Sequence, residues 1–194
     1  MQLKGVKIGF AFTGSHCTIK EVLGQVTRLV ENGADIYPII SGTVDSDDTR
    51  FGKSTEWKEF LHNTTGHEII KTIVEAEPIG PNKLFDIIVV APCTGNTLAK
   101  LANGITDSPV LMAVKAHLRN QRPVVLAIST NDGLGINARN IGLLINMKNI
   151  YMVPFGQDNP TVKANSLMAK MSLLTETVAE ALEGKQFQPV ILQY

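Results

Sequence analysis

A single three-layer α/β domain built around a parallel sheet, spanning residues 1–194, is the fold that this sequence predicts. Three observations predict it. Short apolar, β-branched runs alternate with longer segments whose apolar residues fall at helical spacing. Most of these runs end in a small, hydroxyl-bearing turn: Thr13-Gly14-Ser15, Ser41-Gly42-Thr43, Thr94-Gly95-Asn96-Thr97 and Ser129-Thr130-Asn131. At 194 residues the chain is long enough to bury roughly 70% of its unfolded surface in one core.

Val6 to Phe12 is the first strand. The helix after it places Ile19, Val22, Leu23, Val26, Leu29 and Val30 on one face, and Gly33 ends it where a left-handed residue is favoured. Asp35 to Ile40 is the second strand. Between Val44 and Phe85 the pattern is weaker. Asp45, Asp47, Asp48, Arg50 and Lys53 form a charged, solvated loop; Glu56 to His62 and His67 to Glu75 read as short helices; Glu77 to Pro81 reads as a stiff, extended connector. The acidic run DSDD lacks the spacing and the glycine of an EF-hand loop, so no metal is expected there. Ile87 to Val90 is a buried central strand, which Ala91, Pro92 and Cys93 leave before a helix from Leu98 to Ala102.

Pro109 opens the next helix, to Asn120, with Lys115, His117 and Arg119 on a solvated face. Pro123 to Ile128 is another buried strand. A polar loop to Asn137, a short helix from Asn140 to Met147 and a last strand from Ile150 to Val153 follow. After a polar segment, a helix from about Ser166 to Glu183 closes the chain. Its stripe of Leu167, Met168, Met171, Leu174, Val178 and Leu182 suits core or subunit contact.

Composition excludes several function classes. Eighteen basic residues balance eighteen acidic ones, which leaves no electrostatic footprint for nucleic acid or an anionic membrane. No apolar run approaches the ~18 residues of a membrane span. The amino-terminal MQLKGVKIGFAF carries a lysine inside its apolar run and reads as a strand rather than a signal peptide, so a cytoplasmic protein is expected. Cys17 and Cys93 form no metal-ligand pattern and are expected to be free thiols.

A strand that turns through small polar residues into a helix aims unpaired N–H groups and the helix dipole at one spot, which binds anions. Taken alone, Thr94 or Thr97 as an N-cap accounts for the same residues equally well. The recurrence of the pattern favours a ligand site. In a parallel sheet the strand C-termini share one edge, so Thr13 to Ser15, Ser41 to Thr43 and Thr94 to Thr97 converge on a single crevice, with the loop from Ser129 to Asn137 facing it. A phosphorylated ligand is the expected occupant.

Pro92-Cys93-Thr94-Gly95-Asn96-Thr97 resembles the PASANT segment of the homo-oligomeric flavin-containing cysteine decarboxylases and flavin prenyltransferases, with Cys93, Thr94 and Gly95 in place of Ala, Ser and Ala. Asn131 is what survives of the decarboxylases' PxMNxxMW segment, which argues against cysteine decarboxylation. EPIGP at Glu77, APCTGNTLAKLANGITD at Ala91, MAVKAHLRN at Met112, STNDGLG at Ser129 and NIYMVPFGQD at Asn149 are similar to one branch of that superfamily, the dipicolinate synthase B subunits.

The resemblance implies a Rossmann-like flavoprotein fold, a homo-oligomer of three or more copies, and a partner, the dinucleotide-binding A subunit of dipicolinate synthase, carrying NAD(P). The implied reaction forms dipicolinate, pyridine-2,6-dicarboxylate, in the mother cell of a spore-forming bacterium by oxidising a dihydrodipicolinate. It also implies FMN, with Thr13, Gly14, Ser15, Ser41, Thr94, Gly95, Asn96 and Thr97 binding it through hydroxyls and N–H groups. Asn96 and Asn131 would meet the isoalloxazine or a substrate carboxylate. A dicarboxylate needs cations, for which Lys100, Lys115, His117, Arg119, Arg139 and Lys163 are candidates. Arg139, just after the polar loop and able to grip a carboxylate with two hydrogen bonds, is the choice.

His67 reads as a helix-start histidine rather than the decarboxylases' essential one. His16 and Cys17 read as part of a helix cap, since adjacent residues rarely face one another as base and nucleophile. Two other functions stand beside the synthase: an FMN-dependent decarboxylase of peptidyl or pantothenoyl cysteine, and a non-catalytic scaffold that binds phosphate or flavin.

Overall fold

The computed structural model describes residues 3–192. The first strand, β1 (Lys7–Phe12), feeds helix α1 (His16–Glu31) and then β2 (Asp35–Ile40), which pairs in parallel with β1. Helix α1 forms because its buried residues, Ile19, Val22, Leu23, Val26 and Leu29, recur at helical spacing. It stops at Asn32, and Gly33 takes a φ of +88°, a conformation that costs glycine little.

The chain then crosses β1 to the sheet's other side. Helices α2 (Gly42–Ser46), α3 (Ser54–Thr65) and α4 (Ile73–Ala76) precede β3 (Ile87–Cys93), which pairs with β1. Helix α5 (Gly95–Ala102) and helix α6 (Pro109–Leu118) lead to β4 (Val124–Thr130), paired in parallel with β3. Helix α7 (Asn137–Ile145) follows, then β5 (Ile150–Met152), which pairs in parallel with the first half of β4.

The parallel part thus has the order 2-1-3-4-5, a doubly wound sheet whose direction reverses between β1 and β3. Strands β3 and β4 are apolar on both faces because helices cover both. Helices α1 and α8 (Leu174–Leu182) pack on each other, and α6 lies against β2, β3 and β4. No helix among the described residues is long and apolar enough to cross a membrane.

Several expectations are corrected. The sheet is mixed: β6 (Phe155–Gly156) and β7 (Leu167–Ala169) form an antiparallel hairpin, and β7 pairs antiparallel with Ser129 and Thr130. Strand β5 is too short to cover all of β4, so the C-terminal end of β4 needs another partner, which the first residues of the expected closing helix supply. That helix begins only at Leu174. Of the expected helix His67 to Glu75 only the last turn forms, because Ile70 pairs with the edge of β2, accepting from Ile40 N (3.0 Å) and donating to Pro38 O (2.9 Å). The Glu77–Ile79 segment winds into a 3₁₀ turn rather than extending. Strand β3 continues through Ala91 and Pro92 to Cys93, across a cis Ala91–Pro92 peptide and a shift of register against β4.

Candidate functional site

The hydroxyl-rich strand ends do meet at one edge, around two adjoining cavities rather than a single crevice. The larger, of about 590 Å³, lies between the ends of β1, β3 and β4, and the smaller, of about 400 Å³, between those of β2, β1 and β3. Gly14, Thr94 and Asn96 line both. This is the reversal point of the doubly wound sheet, where no crossover connection covers the strand ends.

The turns are locked to one another. The Thr13 hydroxyl donates to Pro92 O (2.6 Å) and accepts from Thr94 N (3.0 Å), so it fixes the β3–α5 turn from the end of β1. Thr94 is the N-cap of α5: its Oγ1 accepts from Thr97 N (3.2 Å) and lies 2.9 Å from Thr97 Oγ1. Cap and cavity wall are here the same residue. Ser15 Oγ lies 2.7 Å from Ser129 Oγ, which ties the start of α1 to the end of β4. Ser41 Oγ lies 3.0 Å from Thr43 Oγ1.

The smaller cavity fits a phosphate. No acidic residue lines it, Lys100 does, and the hydroxyl-bearing Ser41, Thr43, Thr97 and Ser108 surround it. At its back Gly14 leaves room that a side chain would take, since a Cβ there would lie 2.7 Å from Thr43 Oγ1.

The larger cavity is different in chemistry. It holds Asn96 and Asn131, one cation, Lys163, and one carboxylate, Asp132. Asp132 Oδ1 accepts from Thr130 Oγ1 (3.0 Å) and from Asn137 Nδ2 (2.7 Å), and the buried Asn137 in turn accepts from Asn140 Nδ2 (2.8 Å). Gly95 makes room for this network: a Cβ on it would lie 2.5 Å from Thr130 Oγ1 and 2.6 Å from Asn137 Nδ2. Lys163 and Lys100 pair with Asp158 (3.1 Å) and Asp107 (2.7 Å). Asp107 is exposed, and a surface pair of that kind contributes about 0–1 kcal/mol and yields readily to a ligand anion; Asp158 is largely covered.

Thr13, Gly14, Ser15, Ser41, Thr94, Gly95, Asn96, Thr97 and Asn131 therefore all line one cavity or both. Arg139 does not: it stands exposed on α7 and lines neither. Lys115 and Arg119 are exposed toward the far end of α6. His117 is not on a solvated face. It is 1% exposed, and burial, with help from the Arg122 charge, pushes its pKa down to about 4, so it is neutral and carries no charge for a carboxylate.

His67 is not at a helix start; its Nε2 lies 2.6 Å from Asp35 Oδ1 and its ring stacks on Tyr37 at 3.9 Å, at the opposite edge of the sheet. Cys17 is free and lines the larger cavity; Cys93 is free and buried, which pushes its thiol pKa far up. The larger cavity also takes Asp132 and Asn137, from the loop expected to face the crevice though neither is named there as a site residue, and Ser166 and Met168, which carry no site signal in the sequence. The hairpin that brings Ser166 and Met168 reads locally as the start of the closing helix.

The sequence matches the flavoprotein family model over residues 1–183. The chain belongs to the flavoprotein family. Among flavoproteins, the B subunit of dipicolinate synthase from Bacillus subtilis (strain 168) is 52% identical over 191 residues, which are 98% of this chain and 96% of that protein. The crystal structure of the B subunit of dipicolinate synthase from Bacillus halodurans superposes with a TM-score of 0.92 at 53% identity, covering 100% of this chain and 99% of that one. DmrB from Burkholderia xenovorans, a cubic protein cage for redox transfer solved in complex with FMN, shares the flavoprotein fold at 17% identity with a TM-score of 0.68, over 92% of this chain and 96% of that one.

Proposed function

We propose that this flavoprotein is the B subunit of a dipicolinate synthase, which forms dipicolinate by oxidising a dihydrodipicolinate together with a dinucleotide-binding A subunit that carries NAD(P). The observation that carries this reading is the 52% identity to the Bacillus subtilis B subunit along nearly the whole of both chains. The same relationship supports a place in sporulation, in the mother-cell cytoplasm.

The site has the parts such a function needs. In this reading the acid-free smaller cavity takes the phosphate of FMN on the hydroxyls of Thr43 and Thr97 and on Lys100. FMN, when bound, supplies a two-electron acceptor. The larger cavity takes the dicarboxylate. Asn96 and Asn131 orient it through their amide groups, and Lys163, rather than the outlying Arg139, is the cation for one carboxylate, its own side chain being exposed although it pairs with Asp158. Because both cavities open on one edge and share a wall, a neighbouring copy in a homo-oligomer can complete them.

The alternative reading as a cysteine-type decarboxylase has less support: of the PxMNxxMW segment only Asn131 is present. Mixing the purified chain with the synthase's A subunit and following dipicolinate absorbance tests the proposal. Product that requires both chains is expected; carbon dioxide release from pantothenoyl or peptidyl cysteine, without dipicolinate, would overturn it.

A further inference from the structure

We propose that Asp132 is the proton-accepting residue of the larger cavity, taking a proton from a ring carbon of a cyclic imine dicarboxylate; this rests on the functional reading above. Making such a ring aromatic breaks C–H bonds on neighbouring ring atoms, and one of the hydrogens leaves as a proton. That proton needs an acceptor within hydrogen-bond reach of the bound ring. Among the described residues that line the two cavities, Asp132 is the one carboxylate, and no histidine lines either. Lys100 and Lys163 are ion-paired cations with no acceptor capacity. Cys17 is exposed, and among the described residues its thiol has one hydrogen-bond neighbour, Ser15 Oγ at 3.7 Å, and no base beside it.

The carboxylate is held for such work. Both of its side-chain hydrogen bonds, from Thr130 and Asn137, fall on Oδ1, and Oδ2 has no partner among the described residues. Asn137 is 6% exposed and is itself held by Asn140, 4% exposed, so the second layer is rigid. The absent side chain of Gly95 keeps the space: a Cβ would come within 3.1 Å of Asp132 Oδ1 and closer still to both of its donors. Gly95 is also the first residue of α5, whose positive end favours an anion at this spot.

The step balances without an electron acceptor. The C–H bond next to the imine breaks, and its electron pair becomes a ring C=C bond as the C=N bond's pair passes to nitrogen. The carbon's proton goes to Asp132 Oδ2, the nitrogen takes a proton from water, and the hydroxide so formed takes the proton from Asp132, which restores the carboxylate. The product is the enamine form of the same ring.

Proton NMR of a cyclic imine dicarboxylate, tetrahydrodipicolinate, in deuterated water reads this step directly in the absence of flavin, and calorimetry with dipicolinate reads binding separately. The full chain is expected to bind dipicolinate and to speed exchange at the carbon beside the imine. Asp132→Asn is expected to bind as the parent does and to lose about 100-fold or more in exchange, the usual contribution of a general base. Asp132→Glu is expected to recover part of the rate, and Gly95→Ala to lose it with the carboxylate still present. Equal exchange by the parent and Asp132→Asn, or binding by the parent without accelerated exchange, would overturn the proposal. Failure of the parent to bind dipicolinate would overturn the functional reading and the proposal with it.

Discussion

Thr13 uses one hydroxyl twice, as donor to Pro92 O and acceptor from Thr94 N, and it is 2% exposed. Removing the hydroxyl takes the partner from a buried carbonyl and a part-buried N–H, so Thr13→Val is expected to cost about 1–3 kcal/mol in urea denaturation, far more than an exposed substitution. A change within experimental error would mean that this contact does not fix the turn. His117 makes a pH-dependent contribution of known sign. Its folded pKa, about 4, lies below the ordinary 6.5, because burial, and then the Arg122 charge, oppose the imidazolium. The unfolded chain therefore takes up the proton first as pH falls: the contribution is whole above about pH 6.5 and is lost between there and about pH 4, on the order of 3 kcal/mol in all. Comparing urea midpoints at about pH 7 and about pH 5 checks it, with His117→Phe expected to flatten the difference. An equally steep loss in that variant would place the titration elsewhere.

Among the elements, α5 joins cap and cavity. Thr94→Val removes the acceptor for Thr97 N and is expected to cost about 1 kcal/mol of stability, the ordinary worth of an N-cap, measured by thermal or urea unfolding. How legible each element is in the sequence depends on where its contacts lie. Strand β2, helix α1 and the Gly33 stop are readable because apolar period, length and cap chemistry are local. The hairpin of β6 and β7 is not. Leu167–Ala169 is too short to show a period of its own, and what makes it a strand is the open end of β4, distant in sequence. Ile70 escapes a local reading for the same reason, being strand-like only because the edge of β2 lies beside it. Pro92 reads locally as leaving the strand, yet β3 carries its chain on to Cys93 through the cis peptide.

At the scale of the whole molecule, parallel strands put all their C-terminal turns on one edge, which is why nine of the residues expected in the site from hydroxyl-rich turns and resemblance do line it. Its division is not legible in the sequence. That the turns enclose one acid-free cavity and one that holds Asp132 goes with Gly14 and Gly95 each leaving space for side chains from other elements, Thr43 at the one and Thr130 and Asn137 at the other, a relation no single stretch displays. Arg139 marks the limit of nearness in sequence as a guide: helix α7 carries it away from the cavities, while the loop before β7 returns Lys163 to them. The most direct test of the proposed flavin site is a calorimetric titration of the purified chain with FMN, repeated for the Thr94→Val, Asn96→Ala double variant, whose lost cap is too small a cost to unfold an ordinary domain. Binding by the parent and its loss in the variant is the predicted result. No binding by the parent, or equal binding by the variant, would contradict the assignment of this strand edge as the flavin site.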